Sequence, residues 1–227
     1  MESPRPLAPR GFTLIEMIVV LVIIVFITAV AVTGQSAFNR SLVLTDTAYT
    51  VAFSIREAQN LGLSSRAVGG VYDAGYGIQF STQTPTAYVL FADTSPASPG
   101  IDPADNPYCR GHEARVSTDP EAHPGDCIYN GSAELVRTYT LNRGFTISQF
   151  CGTRVSDNTQ ACSGTHFQTM HISFMRPSTN TRIFGRTIDG VQTALSDATI
   201  RLRAPDGGAF RCITVSQVGQ IAVGACP

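Results

Sequence analysis

The chain has 227 residues, of which 43% are hydrophobic and only 15% are charged, so it can form one domain plus an additional element. All 16 basic residues are arginines, and 17 acidic residues bring the net charge to −1. This balance excludes a global electrostatic attraction to nucleic acid or to anionic lipid.

A proline-rich leader precedes a long apolar segment. Residues 12–32 contain a single charge, Glu16, and a helix of this length would span about 30 Å, the thickness of a bilayer core. Arg5 and Arg10 lie before the segment, so we expect the N-terminus to stay in the cytoplasm and the rest to be exported. Residues 29–31 (AVA) also fit the cleavage site of an ordinary secretory signal peptide. A carboxylate within such a peptide's apolar region is unfavourable.

The sequence GFTLIE at residues 11–16 resembles the processing site of type IV prepilins and type II secretion pseudopilins. The resemblance implies that a prepilin peptidase cuts between Gly11 and Phe12, and that the new amine of Phe12 is methylated. Glu16 becomes the fifth residue of the mature chain and can pair with the Phe12 amine of a neighbouring subunit. Because an intramembrane carboxylate is costly unless it is paired, such a contact would fix the register of assembly.

The apolar periodicity continues beyond the membrane segment. From residue 42 to residue 61, apolar residues recur mostly at spacings of three and four, with polar residues on the other face. We therefore predict one helix over residues 13–64, with a break at residues 34–36 (GQS) as the alternative. The predicted domain organisation is a leader at 1–11, a helix at 12–66 with 12–32 spanning the membrane, and a β domain at 67–227.

The β domain is predicted from short runs of β-branched and aromatic residues separated by turn residues. The predicted strands are residues 76–81, 86–92, 134–141, 145–150, 167–175, 182–188, 198–203, 210–216 and 219–224. Residues 93–133 form a long stretch rich in Pro, Asp and Gly, a length typical of functional or mobile loops. The predicted fold class is α+β, a long N-terminal helix packed on a mostly antiparallel sheet domain, which is the pilin architecture by resemblance.

Six cysteines all lie beyond residue 100. An even number of cysteines after an export segment predicts disulfides formed in an oxidising compartment. Proximity along the chain suggests Cys109–Cys127, Cys151–Cys162 and Cys212–Cys226, although six cysteines allow about fifteen connectivities.

No catalytic or nucleotide-binding motif occurs, so we predict a protein without enzymatic activity, cofactor or metal. The histidines and the acidic residues of the long loop do not match zinc or calcium spacings. Arg201 and Arg203 share one strand face, where they could contact DNA phosphates, or simply form a solvated face.

The predicted function is that of a minor pilin or pseudopilin that assembles through its N-terminal helix. Residues 32–34 (VTG) stand where many major pilins have a proline, which favours a minor subunit. Residues 54–67 and 213–223 resemble the helix end and the terminal strands of GspH/FimT-like proteins. The implied partners are other pilin or pseudopilin subunits, prepilin peptidase, the inner-membrane assembly platform, and lipid before assembly.

The predicted location is the bacterial inner membrane, followed by a periplasmic pseudopilus or a cell-surface pilus. Two alternatives stay open. One is a tip minor pilin that binds DNA or an adhesive ligand. The other is a secreted, disulfide-linked β protein with an ordinary signal peptide.

Overall fold

A computed structural model of the chain describes residues 11–64, 68, 74–94, 125–176 and 178–226, and side chains 33–38, 40, 178 and 179 are not described. The chain divides into two compact units, with the boundary between Leu42 and Val43. The second half of the long helix therefore belongs to the same unit as the strands.

Helix α1 extends from Leu14 to Leu63 without interruption, so the alternative break at residues 34–36 does not occur. Its first part, Leu14–Val32, has a mean hydropathy of 3.1 and is long and apolar enough to cross a membrane. None of this segment is buried within the chain. The predicted limits of 13 and 64 differ from the observed limits by one residue at each end, as expected for helix termini.

Eleven strands follow α1 in the described part of the chain. They are β1 (Gly75–Ser81), β2 (Ala87–Asp93), β3 (Leu135–Thr140), β4 (Thr146–Thr153), β5 (Gln160–Cys162), β6 (Thr169–Met175), β7 (Ser178–Arg186), β8 (Gln192–Leu195), β9 (Asp197–Arg203), β10 (Phe210–Ser216) and β11 (Ile221–Gly224). One sheet has the order β3-β2-β1-β6-β7-β8 and the other has the order β11-β10-β9-β4-β5. Every pairing between neighbouring strands is antiparallel, which confirms the predicted α+β class.

Nine of these strands correspond to predicted ones, whereas β5 and β8 are absent from the sequence prediction. They contain only three and four residues, too few to show the alternation that marks a strand. They form because β5 pairs with the end of β4, and β8 pairs with the end of β7. For the same reason β4 continues to Thr153, beyond its predicted end at residue 150.

The core of the second unit lies between α1 and the inner faces of both sheets. Five fully buried helix residues recur at spacings of four and three: Leu44, Ala48, Val51, Ile55 and Ala58. They belong to one cluster with buried residues of both sheets, such as Ile172 and Ile200. Burying each large apolar side chain contributes about 1.5–3 kcal/mol, so this stripe holds the helix in the β unit.

Gly62 lies at a close approach between α1 and β6, and its replacement by alanine is expected to destabilise the unit. An added Cβ would lie 2.3 Å from the carbonyl oxygen of Phe174. This oxygen belongs to a strand paired on both sides, so it cannot move away easily. We expect Gly62→Ala to lower the free energy of unfolding by about 1–3 kcal/mol.

Urea denaturation of the detergent-solubilised full chain measures this effect. Gly224→Ala is the matched control, because an added Cβ there meets no atom within 4 Å. An unchanged midpoint for Gly62→Ala would contradict the close packing of α1 on β6.

Candidate functional site

The predicted processing site lies at the start of α1. Thr13 caps the helix: its Oγ1 accepts a hydrogen bond from the Glu16 backbone N–H at 3.3 Å, and its carbonyl accepts one from Met17 N–H at 3.3 Å. Thr13 and Glu16 have the Thr-x-x-Glu spacing of a capping box. The sequence prediction overlooked this signal, although it is visible in the sequence. Glu16 is also the acidic residue of the first turn, where the helix dipole favours a negative charge.

Gly11 and Phe12, the two residues on either side of the predicted cleavage bond, are both exposed. An added Cβ at Gly11 would meet no atom within 4 Å, and the Phe12 side chain is 78% exposed. Within the described part of the chain, no cation forms a salt bridge with Glu16. A charge partner for this carboxylate must therefore come from outside these residues.

The apolar residues that follow have no cover within the chain. The large hydrophobic side chains from Leu14 to Val32 are between 46% and 78% exposed. An apolar surface of this extent marks contact with a membrane or with another protein. This segment therefore needs lipid or other helices around it.

A family model for the prokaryotic N-terminal methylation motif matches residues 8–32. This motif is the one that type IV pilins and pseudopilins carry at their N-terminus, so it supports a relation of the chain to that family. The motif implies processing by prepilin peptidase and assembly with other pilin subunits, and the apolar helix indicates that the N-terminal segment is a membrane anchor. No curated protein and no solved structure matches the chain significantly.

The β unit contains disulfides, which form and persist in oxidising compartments. Cys151 is bonded to Cys162 across β4 and β5, and Cys212 of β10 is bonded to Cys226 after β11. These are the pairings that proximity along the chain suggests. Cys127 is also disulfide-bonded. Its predicted partner, residue 109, lies outside the described residues.

The two arginines considered for DNA contact lie on one face of β9, but their side chains differ. The Arg201 guanidinium stacks on the Phe210 ring at 3.9 Å, and its Nε is buried without a hydrogen-bond partner. Arg203 is exposed and lies against the β9–β10 turn, where an added Cβ at Gly207 would be 2.4 Å from its Nη2. Contact of these arginines with DNA stays a prediction.

The other four arginines between residues 176 and 211 do not join them on this face. Arg211 donates a hydrogen bond to Thr45 Oγ1 on α1. Arg182 and Arg186 belong to β7 of the other sheet, and Arg176 follows β6. The arginine-rich stretch of the sequence is therefore divided between two sheets.

A buried polar cluster joins the two ends of the long stretch at residues 93–133. Asp93 is fully buried and accepts hydrogen bonds from the backbone N–H groups of Asp126 at 3.0 Å and Cys127 at 2.7 Å. Glu134 accepts the N–H groups of Thr94 at 3.2 Å and Asn130 at 2.8 Å. Burial raises the pKa of Asp93 well above its usual value, and the charge of Asp126 raises this pKa further.

This cluster closes the base of the stretch, because Asp93 and Glu134 accept hydrogen bonds from backbone groups on both sides of it. In the described residues, no group of three or more His, Cys, Asp or Glu side chains could hold a metal ion. Most of the stretch, residues 95–124, lies outside the described residues. The sequence prediction did not identify Asp93 or Glu134, because nothing in their local sequence signals burial.

His171 of β6 contacts the same region and is almost fully buried. Its Nδ1 accepts the Tyr129 N–H at 3.1 Å, and its Nε2 lies 3.0 Å from Thr169 Oγ1. These contacts suit a neutral imidazole with its proton on Nε2. Burial lowers the pKa of His171 from 6.5 to about 3, and the charge of Arg186 contributes to this shift.

Acidification is expected to destabilise the protein through His171. Below about pH 6.5 the unfolded state binds a proton on this residue, whereas the folded state does so only near pH 3. The free energy of unfolding should therefore fall by about 1.4 kcal/mol per pH unit within this window. Asp93 and Asp126 act in the opposite direction, because their raised pKa values let the folded state bind protons first.

The variant His171→Asn isolates the histidine contribution, since both proteins keep the two aspartates. Urea denaturation from about pH 7 to about pH 5 should show the wild-type advantage over His171→Asn shrinking as the pH falls. A constant difference would contradict a neutral, buried His171.

Proposed function

We propose that the chain is a minor pilin or pseudopilin, a non-enzymatic subunit of a type IV pilus or a type II secretion pseudopilus. It is cut between Gly11 and Phe12 by prepilin peptidase and methylated on Phe12. The observation that carries this proposal is the methylation motif at residues 8–32, whose uncovered apolar helix has its single charge, Glu16, in the first turn.

Assembly follows from the chemistry of this helix. Lipid covers its apolar side chains before assembly, and the helices of other subunits cover them afterwards. The methylated amine of Phe12 in one subunit pairs with Glu16 of its neighbour, and the Thr13 cap supports the first turn that presents the carboxylate. Such a buried pair adds little net stability, but it fixes the register between subunits.

The location follows from the same segment. The N-terminus is cytoplasmic before cleavage, and the β unit is exported, where the disulfides form. The inner-membrane assembly platform then moves the subunit out of the bilayer into the filament. A large exported part with a long stretch at 93–133 supports a minor subunit, and residues 54–67 and 213–223 support the GspH/FimT-like type.

Intact mass and N-terminal sequencing of the protein from its native membranes test the proposal. The expected chain begins at Phe12 and carries one added methyl group. A chain that begins near Val32 would have lost Glu16, and the protein would then be a secreted β protein. Co-purification with other pilin subunits after crosslinking would separate assembly from processing alone.

A further inference from the structure

One end of the β unit is basic, and it lies where α1 enters the unit. Val43 is the first residue of the unit, and nearby Thr45 accepts a hydrogen bond from Arg211 at the start of β10. The β3–β4 and β9–β10 turns meet at this end, since an added Cβ at Gly144 would lie 3.3 Å from Pro205. We call residues 142–146 and 203–211 the basic end.

The charges at this end are mostly positive. Arg143 and Arg203 are exposed, and Arg203 is paired with Thr146 and with Phe210 on either side. The stacked Arg201 shares the face of Arg203, and the bonded Arg211 lies at the same end on the other face, while Asp206 is the acidic residue of the β9–β10 turn. On α1 the nearest exposed acid along the chain is Asp46. The chain as a whole carries a net charge of −1, so this positive excess is local.

The strands of the other sheet also end on this side. Gly62 of α1 contacts Phe174, which is paired with Tyr76 at the start of β1. Ser54, earlier in α1, is hydrogen-bonded to Tyr88, which is paired with Phe80 near the end of β1. Strand β1 therefore runs back along α1 toward the point where the helix enters. Strand β7 runs in the same direction as β1, because β6 is antiparallel to both.

The hairpin that follows β7 has two exposed aliphatic side chains at its tip, with the exposed Asp189 between them. Ile188 is 81% exposed and Val191 is 61% exposed, on either side of a turn that Gly190 makes with a φ of +84°. Hairpin tips are normally polar, because water surrounds them. Two large aliphatic side chains here are suited to a surface that excludes water.

We propose that the basic end binds an anionic membrane surface, with Arg143 and Arg203 on lipid phosphates and Ile188 and Val191 at the headgroup boundary. Because it requires residues 14–32 to lie in the membrane, this contact rests on the proposed function. Only ten residues separate Val32 from Val43. These ten residues are part of α1, and a helix rises about 1.5 Å per residue, so Val43 follows Val32 by only about 16 Å along the helix.

Duplex DNA offers the same phosphate chemistry, but two features favour lipid. Residues 33–42 connect the basic end to the membrane segment, so it is close to the bilayer before any other partner binds. The aliphatic tip has a use at the boundary of a bilayer, where amphipathic surfaces insert apolar side chains below the headgroups. A DNA backbone offers no comparable apolar layer.

Lipid-attached quenchers can measure this contact in the full chain. Every described cysteine is disulfide-bonded, so one added cysteine takes a single fluorophore. Gln83→Cys places the label in the β1–β2 turn, on the side of the basic end. Val218→Cys places the label in the β10–β11 turn at the opposite end, beside the hydrogen bond from Gln59 to Gly219. The chain is reconstituted in phosphatidylcholine vesicles with or without phosphatidylglycerol, and headgroup-attached nitroxide is the quencher.

We expect phosphatidylglycerol to raise the quenching of the label at residue 83 about twofold or more, and to leave the label at residue 218 unchanged. The double variant Arg143→Glu/Arg203→Glu should abolish the increase. The matched control is Arg137→Glu/Arg154→Glu, which changes the net charge equally at residues that already pair with Glu57 and Asp157. This control should keep the increase.

Equal quenching in both lipids, or an increase that survives reversal at residues 143 and 203, would overturn the inference while leaving the proposed function intact. A chain that does not associate with vesicles at all would overturn both. A short DNA duplex is added to the detergent-solubilised chain as a second probe. DNA binding that the same reversal abolishes, without any lipid effect, would assign the basic end to DNA and overturn lipid binding.

Discussion

Replacing Glu16 by glutamine is expected to leave cleavage at Gly11 intact and to remove the protein from assembled filaments. Glutamine has nearly the same size, so helix packing is kept while the charge is lost. The amine of Phe12 in the neighbouring subunit would then be buried without a partner, which costs about 3–5 kcal/mol. At about 1.4 kcal/mol per tenfold change, incorporation should fall by roughly a hundredfold or more.

The measurement is the ratio of filament-bound to membrane-bound protein in the native host, with intact mass as the check on processing. Asp46→Asn is the matched control, because it removes an exposed acid from the same helix outside the apolar segment. Thr13→Ala removes the helix cap alone, at a cost of about 0.5–2 kcal/mol, and should have a smaller effect. If Glu16→Gln assembled as well as wild type, Glu16 would serve only the local cap.

Replacing Gly11 by valine is expected to block processing entirely. An added Cβ at Gly11 meets no described atom within 4 Å, so the chain itself accommodates valine, but its branched side chain lies next to the bond that is cut. The protein should keep residues 1–11, lack the methyl group and remain in the membrane. Without a free amine at Phe12, Glu16 has no partner, so filament incorporation should fall at least as far as for Glu16→Gln.

Intact mass spectrometry of the membrane fraction decides this outcome. Phe12→Leu is the control on the other side of the bond, since it keeps an apolar residue there and should be cut normally. A Gly11→Val protein that is cut and methylated would show that the cleavage site lies elsewhere. Cleavage near Val32 in both variants would instead support an ordinary signal peptide.

The helix could be predicted closely because its signals are local. The apolar run, the spacing of Leu44, Val51 and Ile55, and the absence of proline all lie within a few turns of one another. The capping box formed by Thr13 and Glu16 is equally local, so it could have been found. Nine strands could be predicted for the same reason, because the alternation of apolar and polar residues along a strand indicates which of its faces is buried.

The pairing of those strands into two sheets is not local, and the sequence contains no direct record of it. Strand β4 lies beside β9, about fifty residues later in the chain, and β1 lies beside β6, about ninety residues later. Residues such as Asp93 and His171 look like ordinary surface residues until such pairings bury them. Their shifted pKa values follow from that burial.

Local sequence patterns predict a processing site, a membrane segment, a long helix before a β domain, and the cysteines that are close enough along the chain to pair. These properties depend on residues close together in the chain. The packing of distant segments places Asp93 and Glu134 at the base of the long stretch, and it divides the six arginines between two sheets. It also brought Arg143 beside Arg203, because two turns sixty residues apart pack together where the helix enters.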